Sequence, residues 1–345
     1  MYKGHADPDG TASYASRFSA LDSAGFFRNV CDLKVSSLGL GTYLGQPDEA
    51  TDRKYEEAVA EAARGGINFF DTAINYRHQR SERAIGAALA PMFQTGELRR
   101  EQIVVATKAG FLTPGAVPDW LSPGDIVGRM HSMAPDFLAD QIDRSRGNLQ
   151  IDTLDIFYLH NPETQLQFVS PEEFAGRIRA AFARLEKFVE EGKIRYYGTA
   201  TWDGYRAPGK LDLERLALIA AEEGGANHHF RFVQLPFNLG MVEAMQHPKD
   251  TAGSVLDAAA RLGIGVVASA SLLQARLTED LPEAVAERLP GLTTDAQRAI
   301  QFTRSAPGIA VALAGMSQAA HVRENLGVGA VPPATREQFL RLFQA

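Results

Sequence analysis

The stretch that decides the fold is residues 55–76, YEEAVAEAARGGINFFDTAINY. Its first half spaces Tyr55, Val59, Ala62 and Ala63 so that they share one face of a helix. Gly65-Gly66 follows, and glycine is the residue type that ends a helix by turning left-handed. An apolar run from Ile67 then reads as a strand, which stops at an acid, Asp71, with Tyr76 on the segment beyond it. The same order of helix, glycine and apolar strand returns at residues 181–200, AFARLEKFVEEGKIRYYGTA, where Phe182, Leu185 and Val189 share a face and Gly192 terminates. A further copy is residues 254–270, SVLDAAARLGIGVVASA, with Gly263 in that role. Looser copies lie at residues 144–160 and 217–238.

Strands are expected near 38–42, 67–71, 104–108, 155–160, 194–199, 231–235, 265–269 and 309–314. Most carry few charges and no strict alternation, as parallel strands covered on both faces do. Strand alternating with helix eight times in 345 residues predicts a (β/α)8 TIM barrel over residues 1–345 as a single domain, with a doubly wound sheet as the lesser alternative. Residues 1–34 read as an N-terminal extension, and everything up to residue 37 is expected to plug or flank the barrel base. Residues 111–135, FLTPGAVPDWLSPGDIVGRMHSMAP, exceed an ordinary strand-to-helix connection; a loop of this length is expected over the active face, shaping the substrate pocket.

Composition narrows the partners. The net charge is −7 with basic residues scattered, which argues against nucleic acid and against an anionic membrane surface. No run of 18 apolar residues occurs, and the start, MYKGHADPDG, lacks the basic end and apolar stretch of an export signal, so a cytoplasmic location is expected. The one cysteine, Cys31, can make neither an internal disulfide nor a cysteine metal site, and no metal is expected. Small molecules remain as partners. No coiled-coil pattern fixes an oligomeric state.

In a barrel, chemistry sits where strands end. Asp71 ends the second predicted strand, Lys108 the third and His160 the fourth, and Tyr76 follows Asp71 on its loop. Neighbouring strand ends lie roughly 5 Å apart, so the four can converge. Each alone also has a structural reading: Asp71 as a helix cap or turn residue, Lys108 as a snorkelling lysine, His160 as a turn histidine, Tyr76 as a half-buried loop tyrosine. As a set they suit carbonyl reduction. Tyr76 would give the proton, an adjacent Lys108 ammonium would make that phenol more acidic, Asp71 would hold Lys108, and His160 would donate to the carbonyl oxygen. None of them is a hydride source, so a nicotinamide must bind beside them.

The stretches LGLGTYLG (38–45), GINFFDTAINY (66–76), SERAIGAAL (81–89), VVATK (104–108), LDIFYLHNP (154–162), GKIRYYGTA (192–200), VQLPFNL (233–239) and GMSQAAHVRENLG (315–327) together resemble the aldo-keto reductase family, over nearly the whole chain from Val35 to Leu326. The resemblance implies a (β/α)8 barrel that binds NADP(H), or in some members NAD(H), and acts on a carbonyl or alcohol such as a sugar. It places the catalytic tetrad on Asp71, Tyr76, Lys108 and His160. It places cofactor contacts on Gly41, Thr42, Tyr43, Asp71, Thr201, Gln234, Ser269, Leu272, Gly315, Ser317, His321, Glu324 and Asn325, with a phosphate received by backbone N–H groups near Ala319.

Three departures from the family pattern stand out. Ala200-Thr201 replaces a Ser-Asn pair, Ser269 stands where an aromatic often stacks on the nicotinamide, and GMSQAA lacks the Lys or Arg that often grips a 2′-phosphate. Arg276 and Arg323 are the candidates to substitute for that cation, and the lean is to NADP(H). Trp120, Trp202, Met130, His131 and Phe237 either line an aromatic or sugar-sized pocket or serve packing. Two other functions stay in view, an NADPH-binding regulatory subunit with little turnover and a Schiff-base aldolase using Lys108.

Overall fold

The computed structural model describes residues 1–207, 209–247 and 253–343. Two short strands, β1 (Phe27–Val30) and β2 (Leu33–Ser36), pair antiparallel at the start of the chain. The apolar runs that follow become β3 (Leu38–Gly41), β4 (Phe69–Asp71), β5 (Val104–Ala109), β6 (Leu154–His160), β7 (Ile194–Ala200), β8 (Phe230–Pro236), β9 (Gly265–Ser269) and β10 (Ile309–Gly315). These eight pair in parallel, each with its successor, and β10 closes on β3 to complete the (β/α)8 barrel.

Burial explains why the strands lacked polar alternation. Phe69, Val104, Ile156, Tyr158, Phe232, Val267 and Val311 belong to one apolar cluster, whereas their neighbours Phe70, Val105, Phe157, Leu159, Val233 and Val266 belong to another that includes the helices. Side chains alternate across a strand, so the first set fills the barrel and the second meets the outer ring. Gly198 is required inside: a Cβ there would lie 1.8 Å from the Phe232 carbonyl oxygen. The glycine signals hold too, since the helix Glu49–Gly65 ends at left-handed Gly66 and the helix Val255–Leu262 at left-handed Gly263.

The hairpin β1–β2 was not anticipated. Its Val30, Leu33 and Val35, with Ala6, join the cluster that fills the barrel and so close its base. Asp155 on β6 ties this end together. Its carboxylate accepts from Ala6 N at 2.6 Å, Val105 N at 2.7 Å and Arg100 at 2.8 Å, and Arg100 also donates to the carbonyls of Ile103 and Thr153. At the opposite end, the pairings Gly41↔Asp71, His160↔Ala200 and Pro236↔Ser269 bring the ends of the strands to a common level. Among the described residues no helix is long and apolar enough to cross a membrane.

Asp155→Ala would leave the Arg100 guanidinium buried without its carboxylate, a loss of about 3–5 kcal/mol of stability. Chemical denaturation of the variant measures it; a loss below about 1 kcal/mol would show that the ion pair does not anchor the base.

Candidate functional site

Asp71 and Lys108 meet at the mouth of the barrel. The Lys108 Nζ donates to Asp71 Oδ1 at 2.5 Å and to the Thr72 carbonyl at 2.6 Å, while Gln234 on β8 donates its amide to Asp71 Oδ2 at 2.7 Å. Both carboxyl oxygens accept and the amine only donates, the pattern of a carboxylate and an ammonium. Burial raises the Asp71 carboxyl and lowers the Lys108 ammonium, and each partner opposes that drift in the other. Thr42 donates its N–H and its hydroxyl to the Asp71 carbonyl, both at 3.2 Å, so the backbone under the acid is fixed as well.

Tyr76 follows on the loop after β4. Directly behind it, Arg77, His78 and Gln79 all take positive φ, a run that non-glycine residues adopt only when the surroundings impose it. Arg77 supplies the constraint: it donates to the Gln46 carbonyl at 2.9 Å and the Asp48 carbonyl at 3.2 Å, pairs with Asp52, and lies 5.2 Å from the centre of the Tyr55 ring. The turn holds Tyr76 beside Tyr43, with ring centres 5.0 Å apart, and beside His160 at 5.8 Å. The Lys108 ammonium sits 4.9 Å from the centre of the Tyr76 ring.

The expected acidification of Tyr76 is corrected here. Its phenol is raised well above the ordinary tyrosine value, first by burial, then by the Asp71 carboxylate and Tyr43. The Lys108 charge, shared with Asp71, does not bring the phenol below the ordinary value. Tyr76 therefore holds its proton at neutral pH.

His160 closes the group. Burial first, then Lys108 and His131, push its imidazole well below the ordinary value, so it is neutral. Its backbone is held by a residue offered by the sequence only as pocket lining or packing. His131, fully buried in the long loop 111–135, donates Nε2–H to the His160 carbonyl at 2.8 Å while its Nδ1 accepts from Gln165 at 3.2 Å. That arrangement fixes a neutral Nε2–H tautomer, and burial lowers the ring to about 4. Gly110 makes the approach sterically allowed, for a Cβ there would meet His131 Nε2 at 2.6 Å and the His160 carbonyl at 2.7 Å. Phe111 stands edge-on between the two rings, 5.2 Å from His131 and 5.1 Å from His160. Across the mouth, Glu163 accepts the N–H groups of Trp202, Asp203 and Gly204 and so sets the loop after β7.

A cleft of about 830 Å³ opens over these residues. Asp71, Tyr76 and His160 line it, and Lys108 lies buried behind them. Every other expected contact is also on the lining: Gly41, Thr42, Tyr43, Thr201, Gln234, Ser269, Leu272, Gly315, Ser317, His321, Glu324 and Asn325. Several buried polar atoms on that lining have no partner in the protein, namely Asn75 Oδ1, His160 Nδ1, Thr201 Oγ1, Ser271 Oγ and Asn325 Oδ1. Buried polar groups are normally satisfied, so these mark where a polar ligand completes the site.

Not every residue named from the sequence lies on the lining. Neither Arg276 nor Arg323 lines the cleft; Arg323 pairs with Glu61 at 3.0 Å and Arg276 is exposed off the lining. Of the five proposed pocket residues, Trp202 lines the cleft. Trp120 and Met130 point to solvent at 58% and 47% exposure, and Phe237 is buried and stacked on Phe302 at 5.9 Å. The long loop thus contributes Phe111 to the lining and His131 as a support.

The sequence model described as "Aldo/keto reductase family" matches residues 37–344. NADH-specific methylglyoxal reductase of Escherichia coli (strain K12) is 31% identical over 198 residues, covering 53% of this chain and 55% of that protein. L-galactose dehydrogenase of Arabidopsis thaliana is 25% identical over 317 residues, covering 85% and 84%. The chain spans about half the length of several curated relatives that it matches, the methylglyoxal reductase included. Among solved structures, the holo form of an aldo-keto reductase from Bacillus halodurans superposes with a TM-score of 0.65 at 21% identity, covering 92% of this chain and 95% of the other. An aldo-keto reductase from Klebsiella pneumoniae in complex with NADPH gives 0.64 at 20% identity, covering 90% and 91%. These two likenesses are of fold.

The neutral imidazoles carry a pH signature. An unfolded histidine titrates near 6.5, whereas His131 in the fold titrates at about 4. Between those values the unfolded chain binds the extra proton, so the contribution of His131 to stability is intact above about pH 6.5 and declines as pH falls toward about 4. NMR titration of the histidine side chains should show no inflection for His131 or His160 between pH 6 and 8; one near 6.5 for His131 would contradict the fixed tautomer.

Proposed function

The chain belongs to the aldo/keto reductase family, and from that premise we propose that it is an oxidoreductase interconverting a carbonyl and an alcohol with a nicotinamide dinucleotide. The observation that carries this reading is the meeting of Tyr76, His160 and the Lys108–Asp71 pair at one end of a cleft whose lining holds unmatched polar atoms along its length. At about 830 Å³ the cleft is near the upper end of ordinary ligand sites, room for a dinucleotide and a small substrate together. The dinucleotide, when bound, supplies or accepts the hydride.

The chain's own residues do the rest. Tyr76 keeps its phenolic proton until negative charge develops on the substrate oxygen and then gives it up; in the reverse direction the phenolate takes the alcohol proton. His160, neutral and fixed through its carbonyl, donates a hydrogen bond to the same oxygen and strengthens as charge appears. Lys108 stabilises the phenolate once formed, and Asp71 holds Lys108 in place. Thr201 and Gln234 are the polar groups for the nicotinamide amide. Gly315, Ser317, His321, Glu324 and Asn325 take the adenosine, beside the start of the helix Ala319–Leu326. The substrate is read as an aldehyde, ketone or sugar placed against Tyr43, Phe111 and Trp202.

A Schiff-base reading fits the geometry poorly: the Lys108 amine is buried off the lining and engaged by Asp71 and the Thr72 carbonyl. A purely regulatory subunit has no use for a phenol and an imidazole aimed at one substrate position.

Tyr76→Phe should abolish most reduction while leaving dinucleotide affinity nearly unchanged, measured by nicotinamide absorbance and by fluorescence titration. Equal loss of both would remove Tyr76 from the proton-donor role. Because burial raises the phenol, reduction should lose no activity to Tyr76 ionisation below the ordinary tyrosine value of about 10, and alcohol oxidation should climb with pH over the same range. A reduction rate that falls with a midpoint near 7 would contradict this assignment.

A further inference from the structure

We propose that Glu163 and Gln165, two positioning residues off the lining of the cleft, set which carbonyl compounds fit by holding its two aromatic walls, Trp202 and Phe111, from one short segment. The inference rests on the oxidoreductase reading above and deepens it.

Both residues lie on the 3-10 helix Pro162–Gln167, directly after β6 and His160. In the barrel β6 runs between β5 and β7, so this segment stands between the loop after β5, which carries Phe111, and the loop after β7, which carries Trp202. Phe111 and Trp202 line the cleft, whereas Glu163 and Gln165 do not. Glu163 is 5% exposed and Gln165 0%. Polar side chains so buried need partners, and each finds its partner on a different wall.

Glu163 turns toward the loop after β7. Its Oε1 accepts the N–H groups of Trp202 at 3.0 Å, Asp203 at 3.2 Å and Gly204 at 3.2 Å. The main chain of Trp202 is thereby fixed while its indole is left on the lining. Gln165 turns the other way. Its amide donates to His131 Nδ1 at 3.2 Å, and the His131 ring stands edge-on to Phe111 with centres 5.2 Å apart. The grip on loop 111–135 is reinforced nearby: the Phe168 ring lies over Gly128, where a Cβ would meet it at 2.4 Å, and Arg177 donates to Gln165 Oε1 at 3.1 Å and to the Gly124 carbonyl at 3.4 Å.

The gap between the walls is therefore set from behind, by groups that a substrate never meets. Supporting residues of this kind matter, because a misplacement of about 1 Å can cost about a hundredfold in rate. An aromatic aldehyde long enough to rest on both rings depends on that gap, whereas a short aliphatic aldehyde needs only Tyr76 and His160. The dinucleotide contacts after β8 and β10 lie across the mouth and do not touch the segment.

The test compares 4-nitrobenzaldehyde with propanal. In Glu163→Leu the ratio of their kcat/KM values should fall about tenfold, chiefly through KM for the aromatic aldehyde, while Kd for NADH and for NADPH stays within about twofold of native. Glu163→Gln keeps the accepting oxygen and should restore most of the ratio; Glu163→Asp, which withdraws it, replaces the leucine variant should that one not fold. Gln165→Leu should lower the ratio and also kcat for both aldehydes, since His131 holds His160 as well as Phe111. In a Trp202→Ala background the effect of Glu163→Leu on the ratio should vanish. Fluorine NMR of the fluorotryptophan-labelled chain, whose two tryptophans are Trp120 and Trp202, reads the wall without turnover: Glu163→Leu should move the Trp202 resonance and leave that of Trp120 in place. An unchanged ratio, an effect that survives Trp202→Ala, or an unmoved Trp202 resonance overturns the inference and leaves the oxidoreductase reading standing. A native chain that binds neither dinucleotide and reduces neither aldehyde removes that reading, and the inference with it.

Discussion

The site depends on a lysine ammonium held inside the barrel wall. Lys108 is fully buried, and the cost of removing an ammonium from water is several kcal/mol unless partners replace the water. Two acceptors do so, Asp71 at 2.5 Å and the Thr72 carbonyl at 2.6 Å, and Gln234 satisfies the other carboxylate oxygen at 2.7 Å. Because these groups sit on β4, β5, β8 and the turn after β4, the pair also links strand ends from opposite sides of the mouth. A charge pair so enclosed has little freedom, and its rigidity passes to the Tyr76 ring stacked over the ammonium.

Around that pair the resting site avoids loose charge. The phenol keeps its proton and the imidazole carries none, both chiefly because of burial. Two neutral donors on the lining of one cleft suit a reaction in which negative charge appears only transiently on one oxygen, since the donors need no reorganisation when it does. The supports are built from backbone contacts: Arg77 on the carbonyls of Gln46 and Asp48, His131 on the carbonyl of His160, Glu163 on three consecutive N–H groups. Each fixes a loop by its main chain and leaves the side chains that line the cleft free to face a ligand.

Most of the barrel was legible because its signals are local. Helix periodicity, a terminating glycine and an apolar run all fall within about twenty residues, and the three strand-end residues follow from where those runs stop. The hairpin β1–β2 escaped because its strands lie outside the repeating unit. The roles of His131 and Glu163 were hidden for another reason: their partners are main-chain atoms 29 to 41 positions away, which leave no mark on residue type. Loop length placed residues 111–135 over the mouth but not the direction of Trp120 or Met130, which face solvent. The acidity of Tyr76 was misjudged because it turns first on how completely the ring is buried and then on the nearby Asp71 carboxylate, neither of which residue type reveals.

The decisive measurement concerns the origin of the proton. Single-turnover reduction of an aldehyde, with hydride or deuteride on the nicotinamide, in light and in heavy water, should show both a primary and a solvent isotope effect in the native chain. The residual turnover of Tyr76→Phe should keep the primary effect and lose the solvent effect. A solvent effect undiminished in that variant would place the proton on some group other than the phenol.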